Sequence, residues 1–221
     1  MIQTDRKIRL VVLISGRGSN LQAILDGATR GVLPVEIRAV ISNRPDAYGL
    51  ERARQAGVPT AVVDYKTFPD RQAFEAVLQE RIDAENPALV ILAGFMRILS
   101  AGFVEHYRGR LLNIHPSLLP KYRGLHTHER ALAAGDREHG ASVHFVIPEL
   151  DSGPVIVQAR VPVLPDDDPD TLATRVLAQE HRLYPQAIRW FAEGRVRMQN
   201  DHVVFDGQLL TRPRLLEAKQ E

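Results

Sequence analysis

Residues 8–25 read IRLVVLISGRGSNLQAIL, a buried strand joined to a helix through a short glycine-rich turn. The run over 8–15 is almost continuously apolar, which is typical of a parallel strand covered on both faces. Leucine and isoleucine then recur at helical spacing, and they predict a helix over about 19–30. This strand–turn–helix unit predicts the start of an α/β fold.

The same alternation continues through the first half of the chain. Further strands are predicted over 35–42, 59–64, 88–94 and 110–114. Helices are predicted between them over 47–57, from Asp70 as N-cap to before Pro87, and over 100–107. Strand and helix in this order imply right-handed crossovers and a mostly parallel sheet.

The second half of the chain has a different pattern. Strands over 141–147 and 153–163 are separated only by PELDS, which favours an antiparallel pair over a crossover. A loop is predicted over 117–138, a helix over about 170–194, and a terminal hairpin around Asn200 and Asp201. We therefore expect one α/β domain over residues 1–221. Its sheet should be Rossmann-like, twisted and mostly parallel, with helices on both faces and an antiparallel addition in the C-terminal half.

Composition narrows the class of protein. The chain has 221 residues, 44% of them hydrophobic, and 28 basic against 27 acidic side chains give a net charge of +1. That balance argues against a nucleic-acid or membrane partner. The chain has no cysteine, which excludes disulfides, thiol catalysis and thiolate metal sites. With no signal-peptide pattern and no apolar run of the roughly 20 residues that span a bilayer, a cytoplasmic protein is expected.

The turn GRGSN, residues 16–20, admits two interpretations. It is neither a Walker loop nor the full dinucleotide fingerprint, since Leu21 stands where the third glycine belongs. It could be a tight turn in which Ser19 or Asn20 caps the helix. It could also bind a phosphomonoester through the backbone N–H groups at the helix start.

The strand end RLLNIHPSLLP, residues 110–120, is a candidate for chemistry. Asn113 and His115 share one face of the strand, and Pro116 ends it at the carboxyl edge, where parallel sheets bind ligands. An asparagine amide can donate to an oxyanion, and a histidine can transfer protons at neutral pH. The alternative is a polar strand end whose side chains are bonded by loop backbone.

Two further segments bear on this site. Asp151, in ELDSGPV, is either an ordinary turn residue or the carboxylate that orients His115. Met96 and Arg97, in LAGFMRILS, mark either a strand-to-helix junction or a hydrophobic slot beside the site. The remaining histidines do not have metal-ligand spacing, so no metal site is expected.

Six segments in a fixed order carry a more specific signal than any one of them. They are SGRGSNLQAIL, ISNRPDAYGLERA, LAGFMRILS, NIHPSLLPKYRGLHTHERAL, GASVHFVIPELDSGPVI and QEHRLYP. With them the chain, from about Ile8 to Gly194, resembles the phosphoribosylglycinamide formyltransferases, a family of folate-dependent formyltransferases. The resemblance implies transfer of a formyl group from 10-formyltetrahydrofolate to the amine of glycinamide ribonucleotide. The products would be formylglycinamide ribonucleotide and tetrahydrofolate, in de novo purine synthesis.

The resemblance also implies roles for individual residues. The catalytic residues would be Asn113, His115 and Asp151, and no metal would take part. Ribonucleotide contacts would fall on Gly18, Ser19, Asn20 and Glu180. Folate contacts would fall on Arg71, Met96, Arg97, Ile98, Leu99, Asn113 and Val146. The phosphate site would thus lie in the N-terminal half, with the folate site and catalytic loop mainly within 71–151. One departure is Leu177, which stands where the family would have a polar ribonucleotide contact.

Several other functions are compatible with parts of this pattern. A 10-formyltetrahydrofolate deformylase would use the same three catalytic residues with water as nucleophile, but it carries an extra N-terminal domain. Another folate-dependent formyltransferase, acting on a tRNA, would need a basic surface. A binding module without activity would leave the convergence of Asn, His and Asp unexplained. We therefore expect two small-molecule partners, no nucleic acid or membrane, and a monomer or homodimer.

Overall fold

The computed structural model of the protein describes residues 7–216. Its contacts divide the chain into two compact units, the first ending at Leu112 and the second beginning at Asn113. The prediction of one domain over residues 1–221 stays a prediction.

The first unit contains a parallel sheet with helical connections. Its elements are β1 (Ile8–Ile14), α1 (Ser19–Thr29), β2 (Val35–Ser42), α2 (Tyr48–Gln55), β3 (Thr60–Val62), a 3-10 turn (Tyr65–Thr67), α3 (Arg71–Asp83), β4 (Leu89–Leu92) and α4 (Ala101–His106). β1 lies between β2 and β4, β3 follows on the other side of β2, and all three pairs are parallel. Every residue from Leu10 to Ile14 is fully buried, so both faces of β1 are covered, as its apolar run predicts.

The second unit contains the antiparallel part of the fold. β5 (Leu111–His115) begins in the first unit and ends in the second. The elements that follow are α5 (Thr127–Ala133), β6 (Glu138–Phe145), β7 (Val155–Pro162), α6 (Pro169–Ala192), β8 (Val196–Gln199), β9 (His202–Phe205), β10 (Gln208–Leu209) and β11 (Arg214–Leu215). β6 and β7 pair antiparallel, and β8 and β9 form the terminal hairpin. The predicted α/β class, with mostly parallel strands and a C-terminal antiparallel addition, is confirmed.

The largest error of the sequence prediction concerns residues 117–138, which contain α5 rather than only a loop. The helix buries only Thr127 and Ala131, so it shows too few apolar residues for a helical period. It also begins after His126 in a left-handed conformation (φ 58°), without a side-chain cap. Neither of the two usual signals of a helix was therefore present in the sequence.

Candidate active site

His115 ends β5, and both nitrogens of its ring face oxygen atoms of the second unit. Nε2 lies 2.8 Å from the carbonyl oxygen of Tyr122, which can only accept, so Nε2 carries a proton and donates it. Nδ1 lies 3.5 Å from Oδ2 of Asp151, and the two side chains are 7% and 9% exposed. The ring thus lies between a carbonyl oxygen at Nε2 and a carboxylate oxygen at Nδ1.

Asp151 is held in place by its own backbone and by a loop residue. It lies between β6 and β7 with φ of 47°, in the left-handed region that aspartate and asparagine enter more readily than most residues. Its Oδ2 accepts the backbone N–H of Gly124 at 2.9 Å. These constraints direct the carboxylate towards His115 instead of into solvent.

The amide of Asn113 is oriented by a buried histidine, His144 on β6. Nδ1 of His144 donates to the carbonyl oxygen of Phe145 at 2.9 Å, so the neutral ring has its lone pair on Nε2. Nδ2 of Asn113 lies 3.2 Å from that Nε2 and donates to it. Burial lowers the pKa of His144, which keeps this ring neutral at physiological pH. The second N–H of the Asn113 amide has no partner among residues 7–216 and can serve a ligand.

Gly153 lets the chain pass close to this histidine. A Cβ at position 153 would overlap the carbonyl oxygen of Phe145, the same oxygen that accepts the Nδ1–H of His144. The tripeptide Asp-Ser-Gly therefore does more than form a turn. It places Asp151 and also leaves room for the hydrogen bond that sets the tautomer of His144.

In the first unit, the glycine-rich turn leads into α1 at Gly18, whose φ is 70°. The reading in which Ser19 or Asn20 caps the helix is wrong. Gly18 occupies the N-cap position, and no side chain of the described residues caps α1. The eleven-residue helix therefore begins at a glycine with no side-chain cap, and such a helix start suits an anion.

A cavity of about 400 Å³ lies over this turn. It brings the predicted phosphate residues Gly18, Ser19 and Asn20 together with Met96 and Arg97, two of the predicted folate residues. The other lining residues are Ser15, Gly16, Arg17, Asn43, Arg44, Tyr65, Ala93 and Gly94. Three arginines and no acidic residue line the cavity, which favours an anionic ligand.

The glycine-rich turn packs closely against Gly49, at the start of α2. The N–H of Gly49 donates to the carbonyl oxygen of Gly16 at 3.0 Å. A Cβ on Gly49 would lie 2.6 Å from Cδ1 of Ile14 and 3.2 Å from Cα of Gly18. A side chain at position 49 would therefore press on Ile14 and on the backbone of the turn at Gly18.

The remaining predicted contacts are distributed over both units. In the first unit, Met96 and Ile98 are 69% and 67% exposed, and Leu99 is buried. The guanidinium of Arg97 stacks on Tyr65 at 4.2 Å. Arg71 is the exposed first residue of α3.

In the second unit, Val146 follows β6 and is half-buried. Glu180 is a buried residue of α6, and Leu177 lies almost one turn before it. The ligand contacts expected of Val146 and Glu180 stay predictions.

Comparison with known proteins gives consistent matches. A family model described as formyl transferase matches residues 8–188. The phosphoribosylglycinamide formyltransferase of Escherichia coli K12 is 57% identical over 92% of this chain and 96% of its own length. The structure of the Coxiella burnetii phosphoribosylglycinamide formyltransferase, in complex with CHES, superposes with a TM-score of 0.91. That protein is 55% identical, over 96% of this chain and all of that one. The chain belongs to the phosphoribosylglycinamide formyltransferase family.

A more distant relative catalyses a different reaction on the same scaffold. The structure of a formyltetrahydrofolate deformylase from Pseudomonas putida KT2440 superposes with a TM-score of 0.81. It is 28% identical and covers 91% of this chain and 71% of that one. The difference in identity places the chain with the formyltransferases, and the shared fold makes the deformylase the alternative to test.

Several residues that contact the candidate site residues of this formyltransferase are not identified by sequence reasoning. Tyr122 and Gly124 act through backbone atoms, which leave no signal in the side-chain pattern. His144 lacks metal-ligand spacing, but its place in a strand seven residues before Asp151 is a usable signal in the sequence. Ser15 and Asn43 are linked by a buried hydrogen bond of 2.6 Å across 28 residues of sequence, which no local pattern encodes.

The described residues also bear on membrane and metal binding. No helix within residues 7–216 is long and apolar enough to cross a membrane. In the same range, no three histidine, aspartate or glutamate side chains form a group that could hold a metal ion.

The pair His128 and His139, whose ring nitrogens lie 3.2 Å apart, predicts how the stability of this formyltransferase depends on pH. Burial, together with the neighbouring His128, lowers the pKa of His139 from its usual 6.5 to about 4. Between pH 6.5 and about 4, His139 binds a proton in the unfolded chain but not in the folded chain. Folded stability is therefore lost as the pH falls from 6.5 towards 4, by about 3 kcal/mol in total. Urea unfolding of the wild type and of His139→Gln should show the wild type losing about 2 kcal/mol relative to the variant between pH 7 and 5. Parallel stability curves for the two proteins would contradict this assignment.

Proposed function

We propose that this formyltransferase transfers the formyl group of 10-formyltetrahydrofolate to the amine of glycinamide ribonucleotide, in de novo purine synthesis. The observation that carries the proposal is the cluster of Asn113, His115 and Asp151, with an oriented amide donor beside a carboxylate-paired imidazole. Formyl transfer to an amine needs an oxyanion donor and a proton donor, and it needs no nucleophile from the protein.

Asn113 supplies the oxyanion donor in this proposal. As the ribonucleotide amine attacks the formyl carbon, the carbonyl oxygen gains negative charge. The free N–H of the amide, held by His144, donates to that oxygen. The donor is oriented before the reaction begins, so no reorganisation is needed when the charge develops.

His115, supported by Asp151, carries out proton transfer in this proposal. The amine loses one proton when the new C–N bond is complete, and the folate nitrogen gains one when its C–N bond breaks, so the reaction consumes no net proton. In the structure the Nε2–H of His115 donates to the Tyr122 carbonyl oxygen, so delivery requires the ring to turn this N–H to the leaving nitrogen. The deprotonated Nε2 that results then accepts the proton lost by the amine, which restores the ring. Asp151, with Oδ2 at 3.5 Å from Nδ1, would stabilise positive charge on the ring during the transfer.

The cavity over the glycine-rich turn is the proposed phosphate site of the ribonucleotide. Backbone N–H groups at Ser19 and Asn20 would meet the phosphate, and the arginines of the lining would add charge. Glu180 would contact the glycinamide or the ribose. Leu177 lacks the polar group expected of the family at its position, which removes one contact to the ribonucleotide.

Gly49→Ala tests the phosphate site. The new Cβ would push against Ile14 and Gly18 and displace the turn. We expect the KM for the ribonucleotide to rise about tenfold, equivalent to about 1.4 kcal/mol, with little change in the KM for the folate. Gly102→Ala is the matched control, because a Cβ there meets no atom within 4 Å. An unchanged ribonucleotide KM in folded Gly49→Ala would contradict the assignment of the turn.

The folate co-substrate is proposed to contact Arg71, the segment Met96–Leu99, Asn113 and Val146. Exposed apolar side chains beside cationic ones suit a ligand with a flat ring system and a carboxylate tail. In this proposal the protein binds two small molecules and binds no nucleic acid, membrane or metal. It is a monomer or homodimer and is located in the cytoplasm. It also includes residues 1–221 acting as one formyltransferase domain.

A turnover assay separates this proposal from the deformylase alternative. The protein is mixed with 10-formyltetrahydrofolate, and folate absorbance is followed with and without glycinamide ribonucleotide. We expect turnover only with the ribonucleotide. Equal turnover without it would assign water as the nucleophile, and turnover with neither mixture would point to another formyl acceptor.

A further inference from the structure

Glu75 is a buried carboxylate of α3, 6% exposed, outside the predicted site residues. Its Oε1 accepts the backbone N–H of Ser100 at 2.8 Å, and its Oε2 accepts the Ser100 hydroxyl. A buried carboxylate is costly unless hydrogen bonds or opposite charge compensate it. Ser100 supplies both hydrogen bonds and is therefore tied firmly to α3.

The tie to Ser100 fixes one end of the segment Met96–Leu99. At the other end, the N–H of Met96 donates to the hydroxyl of Ser15 at 2.7 Å. Ser15 in turn donates to Asn43. The segment is thus pinned at both ends while Met96 and Ile98 stay mostly exposed. Apolar side chains held out in this way cost free energy without a ligand, so a fixed backbone here favours a binding surface.

Glu75 also faces Arg71, one turn earlier on α3. Nε of Arg71 lies 4.0 Å from Oε1 of Glu75, and the arginine side chain is 56% exposed. The buried carboxylate draws the base of the guanidinium towards α3 and leaves the outer nitrogens available. An arginine placed in this way can bind a carboxylate of a ligand through two hydrogen bonds.

We propose that Glu75 is a positioning residue for the folate co-substrate. It holds the end of the segment Met96–Leu99 with both oxygens and attracts Arg71 across 4.0 Å, so that one buried carboxylate acts on both a cation and an apolar surface. This inference rests on the proposed function, because it assigns those two elements to the folate.

Two variants separate the contributions of Glu75. Glu75→Gln keeps an acceptor for the Ser100 N–H and an amide for its hydroxyl, but removes the charge that faces Arg71. Glu75→Ala removes both ties. We expect the KM for 10-formyltetrahydrofolate to rise about threefold in the Gln variant and about tenfold or more in the Ala variant. The KM for the ribonucleotide should stay within about twofold of wild type.

The control is Glu80→Gln, an exposed acid on the same helix, for which both KM values should be unchanged. Circular dichroism and thermal unfolding establish that each variant is folded, and Glu75→Gln serves as the test if the Ala variant does not fold. Equal rises in both KM values would show a structural role only and overturn the proposal. Unchanged folate KM in a folded Glu75 variant would also overturn it. Failure of the proposed function is recognised separately, as a wild-type protein that does not turn over.

Discussion

His115→Ala should lower kcat by about two to four orders of magnitude while both substrates still bind. The ring is the only group of the described cluster that can both donate a proton and stabilise negative charge through its own positive charge. Alanine leaves Asp151 with its bond from Gly124 but with no imidazole to orient. The measurement is steady-state kinetics with each substrate varied, together with the Kd of the folate by fluorescence titration.

The control for this variant is His106→Ala, which removes a partly exposed histidine paired with Asp83 on the surface of the first unit. Its kcat should match the wild type. If folded His115→Ala retained the wild-type kcat, the ring would have no part in the chemistry. A proportional loss of folded protein and of activity would assign His115 to stability instead.

Asn113→Ala should lower kcat by about two to three orders of magnitude, the usual cost of removing one oxyanion donor. The loss should be confined to kcat, because the amide donates most strongly to charge that exists only in the transition state. Pre-steady-state mixing of enzyme with both substrates measures the chemical step directly.

Asn113→Asp is the sharper comparison. The aspartate has nearly the same shape, but when ionised it has no N–H to donate and places negative charge next to the developing oxyanion. We expect it to be at least as slow as Asn113→Ala. A variant with Asp at this position and near-normal kcat would show that the oxyanion is stabilised elsewhere.

Most strands and helices could be predicted from the sequence because their signals are local, whereas β10 and β11, of two residues each, are too short to leave a pattern. An apolar run gives β1, a capping aspartate at position 70 gives the start of α3, and period two places Asn113 and His115 on one face. α5 was missed because its burial is too small to leave a period.

The interactions around these residues could not be predicted in the same way. His144 reaches Asn113 across 31 residues of sequence, and Glu75 reaches Ser100 across 25. A side chain at position 49 would press on Ile14 and Gly18, contacts that a local turn pattern cannot express. Sequence reasoning could therefore name the candidate catalytic residues, whereas the groups that orient them required the three-dimensional structure.

The most direct test of formyl transfer follows the carbon itself. 10-Formyltetrahydrofolate labelled with carbon-13 in the formyl group is incubated with the protein and glycinamide ribonucleotide, and the products are analysed by mass spectrometry. The proposed function predicts that the label appears in the ribonucleotide as an N-formyl group, in step with the tetrahydrofolate released. Label recovered as free formate, with the ribonucleotide unchanged, would contradict it.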